Sequence, residues 1–394
     1  MSLNLPQVLS QMQDMGRTAA SRVEQLAVKL PEAVETFRRV ALMKPKHLQA
    51  RIARAGNRWP GAVPTQEPLD LLVSPPTLPD QLKVISADGS QIYPDRHAPA
   101  FYFMINIGSI IIAHGSGKPP QTNSRPWIYY QDEDLYDQND GAITNAVVDG
   151  WRDVAEMGEL ARLADGCLGE PILALLDNGL LLWLALQVQE SKRRTVDRIL
   201  RAYFDHLDRI HQAGAALAGF VDRPRSTNVL ALLHLANLPL EVINQETLRA
   251  NPYRGLTDRM LFAQLLSPGQ RSSRFTHASP VNRDFQASGH EVQFFYLNSG
   301  EEGQIVRVEI PCWVAEQPEL LNWVHAGILE QCRSTGGFPY ALIRAHELAL
   351  ISYAERRNLD QMLQRTWLHH GLLPRLSQKS RTKKWIGQRR RHRL

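Results

Sequence analysis

The sequence predicts an α/β fold built on a mixed sheet, and three observations predict it. Two short apolar runs, Val84-Ile85-Ser86-Ala87-Asp88-Gly89-Ser90 and Pro171-Ile172-Leu173-Ala174-Leu175-Leu176-Asp177-Asn178-Gly179, each deliver an aspartate to a glycine turn, as short buried strands do. Between them lies Ala100 to Ala113, a long aromatic and β-branched segment with the composition of one or two central strands. Residues 143–168 then carry Val147, Val148, Trp151, Val154, Leu160 and Leu163 on one helical face. Strands alternating with helices place both aspartates in one sheet.

Residues 5–57 have Leu, Val and Met at three- and four-residue steps, which predicts two helices broken near Pro31. Six prolines between Pro60 and Pro79 predict an extended connector. The strand ending at Asp88 takes 100–113 as its hairpin partner. Trp127 to Asp140 mixes tyrosines with Asp132, Glu133, Asp134 and Asp137 without a period and reads as a surface loop. After the second aspartate, 180–216 reads as largely helical and 218–221 as a strand. A helix-rich stretch follows to about Leu266, then a hairpin around Asn298-Ser299-Gly300, and finally one helix over 339–363 that carries His346. Alternation alone would equally suit a nucleotide-binding sheet, but no G-x-x-x-x-G-K-S/T or G-x-G-x-x-G occurs, which weighs against that reading.

At 394 residues, two or three domains are expected. No run approaches the roughly 20 apolar residues of a membrane helix and no secretory signal is evident, so a soluble cytoplasmic protein is expected. Cys167, Cys312 and Cys332 have no C-x-x-C spacing and predict neither a disulfide framework nor a zinc cage. The net charge of +5 is local: residues 374–394 hold nine Lys or Arg and no acid. Without those nine, 36 of the 45 bases remain against 40 acids, a net of −4. The run Lys383, Lys384, Trp385, Arg389, Arg390, Arg391 suits phosphate neutralisation with one ring to stack on a base, or simply a solvated terminus. Arg223, Arg225, Arg254, Arg259, Arg271 and Arg274, in polar or Pro/Gly-rich surroundings, are candidates for holding a nucleic-acid backbone; ordinary exposed loops are the alternative.

Two carboxylates at neighbouring strand ends suit hard divalent cations, and such ions activate and clamp the oxygens of a phosphodiester during hydrolysis. The plain alternative is that each Asp only starts a turn. The helix before the second strand adds Asp153, Glu156 and Glu159 beside Arg152. At three- and four-residue spacing, one of the glutamates can reach toward Asp88 and Asp177, or both can form the helix's wet face.

Four segments in order resemble the NurA family of nucleases: Ile85-Ser86-Ala87-Asp88-Gly89-Ser90, Arg152-Asp153-Val154-Ala155-Glu156, Leu175-Leu176-Asp177-Asn178-Gly179-Leu180-Leu181-Leu182-Trp183, and Gly337-Phe338-Pro339-Tyr340 leading to Ala345-His346-Glu347. The resemblance implies a ribonuclease H-like core and manganese-dependent endonuclease and 5′-to-3′ exonuclease activity on DNA in double-strand break repair, with magnesium as a substitute ion. It also implies a homodimer and partnership with a HerA-type hexameric ATPase. Carried over by residue, Asp88 is a central metal ligand, Glu156 and Asp177 are further ligands, and His346 is a ligand or proton-transfer group. Two departures stand out. Asn178 precedes the glycine that usually follows the second Asp directly, and the family's Gly-Tyr-Pro is here Gly337-Phe338-Pro339, so that Tyr340 is the candidate replacement for a catalytic tyrosine. The expected organisation is an N-terminal helical region (1–59), a connector (60–80), a nuclease domain with helical insertions (81–373) and a basic tail (374–394). The competing readings are a catalytically inactive DNA-binding scaffold and, last, a phosphatase or phosphotransferase on small substrates.

Overall fold

The computed structural model describes residues 4–56, 59–95, 100–136, 141–184, 193–300 and 303–372. Lys383, Lys384, Trp385, Arg389, Arg390 and Arg391 therefore lie outside the described residues. The chain forms two compact units. One comprises Met1–Leu78, Asn178–Leu181 and Ala218–Pro339, the other Pro79–Asp177, Leu182–Leu217 and Tyr340–Leu394.

In the first unit, helix Leu5–Ala41 runs on through Pro31, where two helices were expected. Proline removes one backbone donor, but Ala33, Phe37 and Val40 beyond it are buried in the unit's core, and Phe37 meets Phe262 edge-on with ring centroids 5.9 Å apart. Burial of side chains that size, worth roughly 1.5–3 kcal/mol each, outweighs a local defect. A second helix, Pro45–Ala55, follows.

The proline-rich segment is not a spacer. Its strands β1 (Ala62–Pro64) and β2 (Leu72–Val73) pair with β9 (Phe275–His277) and β8 (Arg271–Ser272), and Trp59, Ala62 and Leu69 are buried among Phe275, Phe294 and Leu233. Prolines suit such short edge strands because they need few ladder donors. The expected hairpin is present as β10 (Val292–Asn298) and β11 (Ile305–Pro311), from Val292 opposite Pro311 to Asn298 opposite Ile305. On its outer side β11 pairs with β7 (Ala216–Val221) through Gly219, Phe220 and Val221.

The second unit holds strands β3 (Leu82–Ile92), β4 (Phe103–His114), β5 (Gln121–Tyr129) and β6 (Ile172–Asp177) in the order β6-β3-β4-β5. The first three form an antiparallel meander, and β6 lies parallel to β3, with Lys83 opposite Ile172 and Ala87 opposite Leu176. Helix Asn145–Asp165 packs on β3 and β4 and is itself covered by helix Arg193–Gln212. Helix Tyr340–Ala349 packs on the opposite face of the same two strands.

Two expectations are corrected here. Trp127–Tyr129 end strand β5 rather than starting a loop. The strand has no apolar alternation because it is the sheet's edge and is exposed on both faces. The helix expected over 339–363 is two, Tyr340–Ala349 and Tyr353–His369. Ser352 restarts the chain: its hydroxyl accepts from Glu355 N (3.2 Å) while the Glu355 carboxylate accepts from Ser352 N (2.8 Å), a capping box that satisfies two end donors at once.

Candidate active site

The site is built on β3. Side chains alternate across a strand, so Asp88 and Gly89 address opposite faces. A Cβ at Gly108, directly opposite Asp88 on β4, would lie 2.4 Å from the Ala345 carbonyl oxygen and from Ala349 N. Helix Tyr340–Ala349 thus sits on Asp88's face at a distance only glycine allows. Ser90 and Asn106 fasten its C-terminal end by donating to the Ala349 carbonyl. This seating brings His346 to Asp88, with Nδ1 donating to Oδ2 over 2.6 Å, while Asp88 Oδ1 accepts from Gly89 N at 2.9 Å. The His346 side chain stays mostly exposed and its Nε2 remains available.

Asp177 ends β6 and is partly buried. Ala87 stands opposite Leu176 in the parallel ladder, so Asp88 and Asp177 follow at one level on adjacent strands, about 5 Å apart in backbone. Asn178 then takes a left-handed backbone (φ 78°), a conformation Asn tolerates better than most residues. The extra residue ahead of Gly179 is accommodated in this way.

On the other face, Gly89 opens space for helix Asn145–Asp165. A Cβ there would lie 2.7 Å from Arg152 Cγ and 2.8 Å from Glu156 Oε1. Burial, first, and then the charges of Asp153 and Asp88 hold the Glu156 carboxyl well above the usual carboxylate range, against the opposing pull of Arg152. Arg152 approaches Glu156 with Nε at 3.2 Å and Asp153 with Nη2 at 2.7 Å. Burial opposes the Arg152 charge, yet these acids raise its pKa further. Asp153 is itself pushed up by burial. A polar ring that sequence reading missed completes the surroundings: Tyr93 and Gln91 both donate to Asp149 Oδ1, at 2.6 and 3.0 Å, and Arg152 donates to Gln91. The signal was present in the spacing of Asp149, Arg152, Asp153 and Glu156 along one helix.

Glu159 does not join this group. It accepts from Ser109 Oγ (2.7 Å) and from two nitrogens of Arg162, with Arg125 at 3.5 Å. Burial favours its neutral form, but those donors win and its pKa is lowered. Tyr340 opens the helix that carries His346, six residues earlier. At 100° per residue the two point about 120° apart, so the structure does not bring Tyr340 onto the face His346 uses. Phe338, at the family's tyrosine position, packs edge-on against Phe220 at 5.2 Å within the first unit.

The arginines expected to hold nucleic acid divide. Arg223, Arg225, Arg254 and Arg259 are exposed. Arg271 is a correction. It is buried and bound to Glu67 at 3.2 Å, and Arg274 shares the same carboxylate at 3.0 Å while donating to the Ala315 carbonyl. Arg271 lies in β8 and Arg274 immediately precedes β9, and both charges serve an internal ion pair. The four exposed arginines lie in the first unit, whereas Asp88, Glu156, Asp177 and His346 lie in the second.

Among the described residues, no group of three or more His, Cys, Asp or Glu side chains is set to hold a metal ion. The donor chemistry still fits a divalent cation: carboxylate oxygens with one imidazole suit manganese. Glu156, buried and within range of the Asp88 and Asp153 charges, is in an environment that a further positive charge would relieve.

An antiparallel three-strand meander with a fourth strand parallel beside the first, one helix on each face and an acid on each of the two parallel strands defines a ribonuclease H-like α/β domain. The NurA domain matches residues 82–351, and the chain belongs to the NurA family. Among solved structures, the NurA nuclease from Sulfolobus solfataricus is 13% identical, with 76% of this chain and 87% of that one covered and a TM-score of 0.48. A NurA structure with manganese is 11% identical over 88% and 98% of the two chains (TM-score 0.40), and the catalytic domain of human Endonuclease V is 14% identical over 74% and 91% (TM-score 0.34). No curated protein matches the chain. Among the described residues, no helix is long and apolar enough to cross a membrane.

Proposed function

We propose that this chain is a divalent-metal nuclease that hydrolyses DNA phosphodiesters, with manganese the preferred ion and magnesium a substitute. Family membership supports a nuclease. The observation that carries the reading is the meeting at β3, where Asp88 is met by His346 from one face while Glu156 lies against Gly89 from the other. Asp88, Glu156 and Asp177 are the proposed ligands. The metal, when bound, supplies Lewis acidity to the phosphate and lowers the pKa of attacking water. Asp88 orients the His346 imidazole through Nδ1, which leaves Nε2 to accept or give a proton at a substrate oxygen. Arg152, held by Asp153 and Gln91, keeps the Glu156 carboxylate in place. Gly108 fixes the distance of the His346 helix from the sheet.

Endonuclease and 5′-to-3′ exonuclease action, a place in DNA end resection, a homodimer and a HerA-type ATPase partner complete the proposal and rest on the family. The rival from a different class is a catalytically inactive DNA-binding scaffold that keeps the fold. Incubation of the purified protein with 5′- and 3′-labelled single- and double-stranded DNA in manganese, magnesium or chelator separates the readings. Metal-dependent products with short 5′-derived fragments are expected, and a folded protein inert in every metal supports the scaffold. Light scattering that returned the 44.6 kDa monomer mass at micromolar concentration would contradict the dimer.

A further inference from the structure

The segment Lys118 to Tyr130 contains two cations, three aromatic residues and no acid, and most of it is the outermost strand of the second unit's sheet. Along β5, Asn123, Arg125 and Trp127 share one face, the face on which helix Asn145–Asp165 packs. There Glu159, itself 6% exposed and fixed by Ser109, holds two guanidiniums, Arg162 in a two-nitrogen contact and Arg125 at 3.5 Å. Two positive charges on one carboxylate leave one uncompensated. Both arginine side chains remain substantially exposed, 39% for Arg125 and 45% for Arg162. Arg125 also lies over the Trp127 ring, 5.4 Å from its centroid, and Trp127 is half exposed.

We propose that Arg125, Arg162 and Trp127, organised by Glu159, form a binding site for single-stranded DNA that feeds the carboxylate cluster. The inference rests on the nuclease reading and names the part of the unit that takes the substrate strand. Anchored guanidiniums meet phosphate oxygens with little ordering cost, and an exposed indole stacks on any base; the combination is that of sequence-tolerant single-strand binding. The register sets the reach. Arg125 stands opposite Ile107, which stands opposite Gly89, and Glu156 Oε1 lies against that glycine. Two interstrand steps make about 10 Å, or about three nucleotides at the 3.4 Å rise of a stacked strand. A second copy of the chain adding a strand to this edge is the rival occupant. Pro126, in the middle of β5, removes a donor from the open edge and disfavours it.

Binding of the full-length protein to a labelled oligothymidylate of about 15 nucleotides, read by anisotropy in chelator so that nothing is cleaved, tests the site. Trp127→Ala, Arg125→Ala and Arg162→Ala are each expected to weaken binding about five- to tenfold. The arginine variants should also reduce the salt slope by about 0.7. Trp127→Phe, which keeps a stacking ring, should recover most of the affinity. Unchanged melting temperatures certify the folds, and Trp127→Ala and Arg162→Ala decide the matter should Arg125→Ala misfold. Affinities and slopes equal to wild type would overturn the proposal, as would variants that lose self-association while binding DNA normally. Wild type that binds but never cleaves with metal overturns the nuclease reading and leaves the comparison among variants intact.

Discussion

Glu156 and Glu159 are three residues apart on one helix and yet are held by opposite logic. Glu156 is buried beside other acids and its carboxyl is pushed up; Glu159 is equally buried but gathers a hydroxyl and two guanidiniums, and its carboxyl is pulled down. Sequence spacing placed both within reach of the sheet but could not rank them, because the ranking depends on Gly89 on β3 and Ser109 on β4, which contact the helix only after folding. The two isosteres therefore separate. Glu156→Gln should reduce saturated cleavage by about a thousandfold, the scale of losing several kcal/mol of metal-assisted stabilisation. Glu159→Gln should raise the DNA concentration needed for half-maximal rate several-fold and leave the saturated rate near normal. Steady-state kinetics on single-stranded DNA in manganese checks both.

At the scale of elements, the strands carrying Asp88 and Asp177, the helix between them and the β10–β11 hairpin were legible because each buries an apolar run with a clear period, although β3 runs on through Asp88 to Ile92, paired with β4, where a turn at Gly89 was expected. What was not legible lacked such a run. Strand β5 is an exposed edge, β8 and β9 are two and three residues long, and the break at Leu350–Ser352 is written only in a capping box. Tertiary packing overrode the one strong local signal that failed, Pro31. Gly108 shows how an element is set by one residue. A methyl group there would meet backbone atoms of Ala345 and Ala349, which cannot swing aside as a side chain can. Gly108→Ala should cost about 3 kcal/mol or more in denaturant unfolding, and it should suppress cleavage by shifting His346 from Asp88. A variant with wild-type stability and rate would show that the helix is not seated as described.

For the molecule as a whole, composition described the charge correctly as a basic tail on an otherwise slightly acidic chain, but it could not reveal that residues 1–78 share a unit with 218–339. That unit also carries an acid sensitivity. Burial holds His277 and His325 down to about 4; His325 donates Nε2–H to the Gly269 carbonyl at 2.7 Å and is 1% exposed. Below the ordinary histidine value of about 6.5 the unfolded chain takes up protons that the folded chain refuses. Stability is thus full above about pH 6.5 and falls as pH drops toward 4, by up to about 3 kcal/mol per histidine at 1.36 kcal/mol per unit. Asp258, raised by burial to about 6, works in the opposite sense below pH 6 and offsets part of the loss. Urea unfolding of wild type and His325→Gln between pH 7 and pH 4.5 should show a shallower decline in the variant; parallel curves would contradict the assignment.

The central claim is that the chain is a nuclease whose chemistry centres on the Asp88 carboxylate. Single-turnover cleavage of end-labelled DNA by wild type and by Asp88→Asn, each with saturating manganese and with chelator, tests it most directly. Asn preserves the shape of the residue and removes the charge. Cleavage by wild type in manganese is predicted, with none in chelator and none above background for the folded variant. Cleavage by Asp88→Asn at the wild-type rate, or by wild type in chelator, would contradict the account.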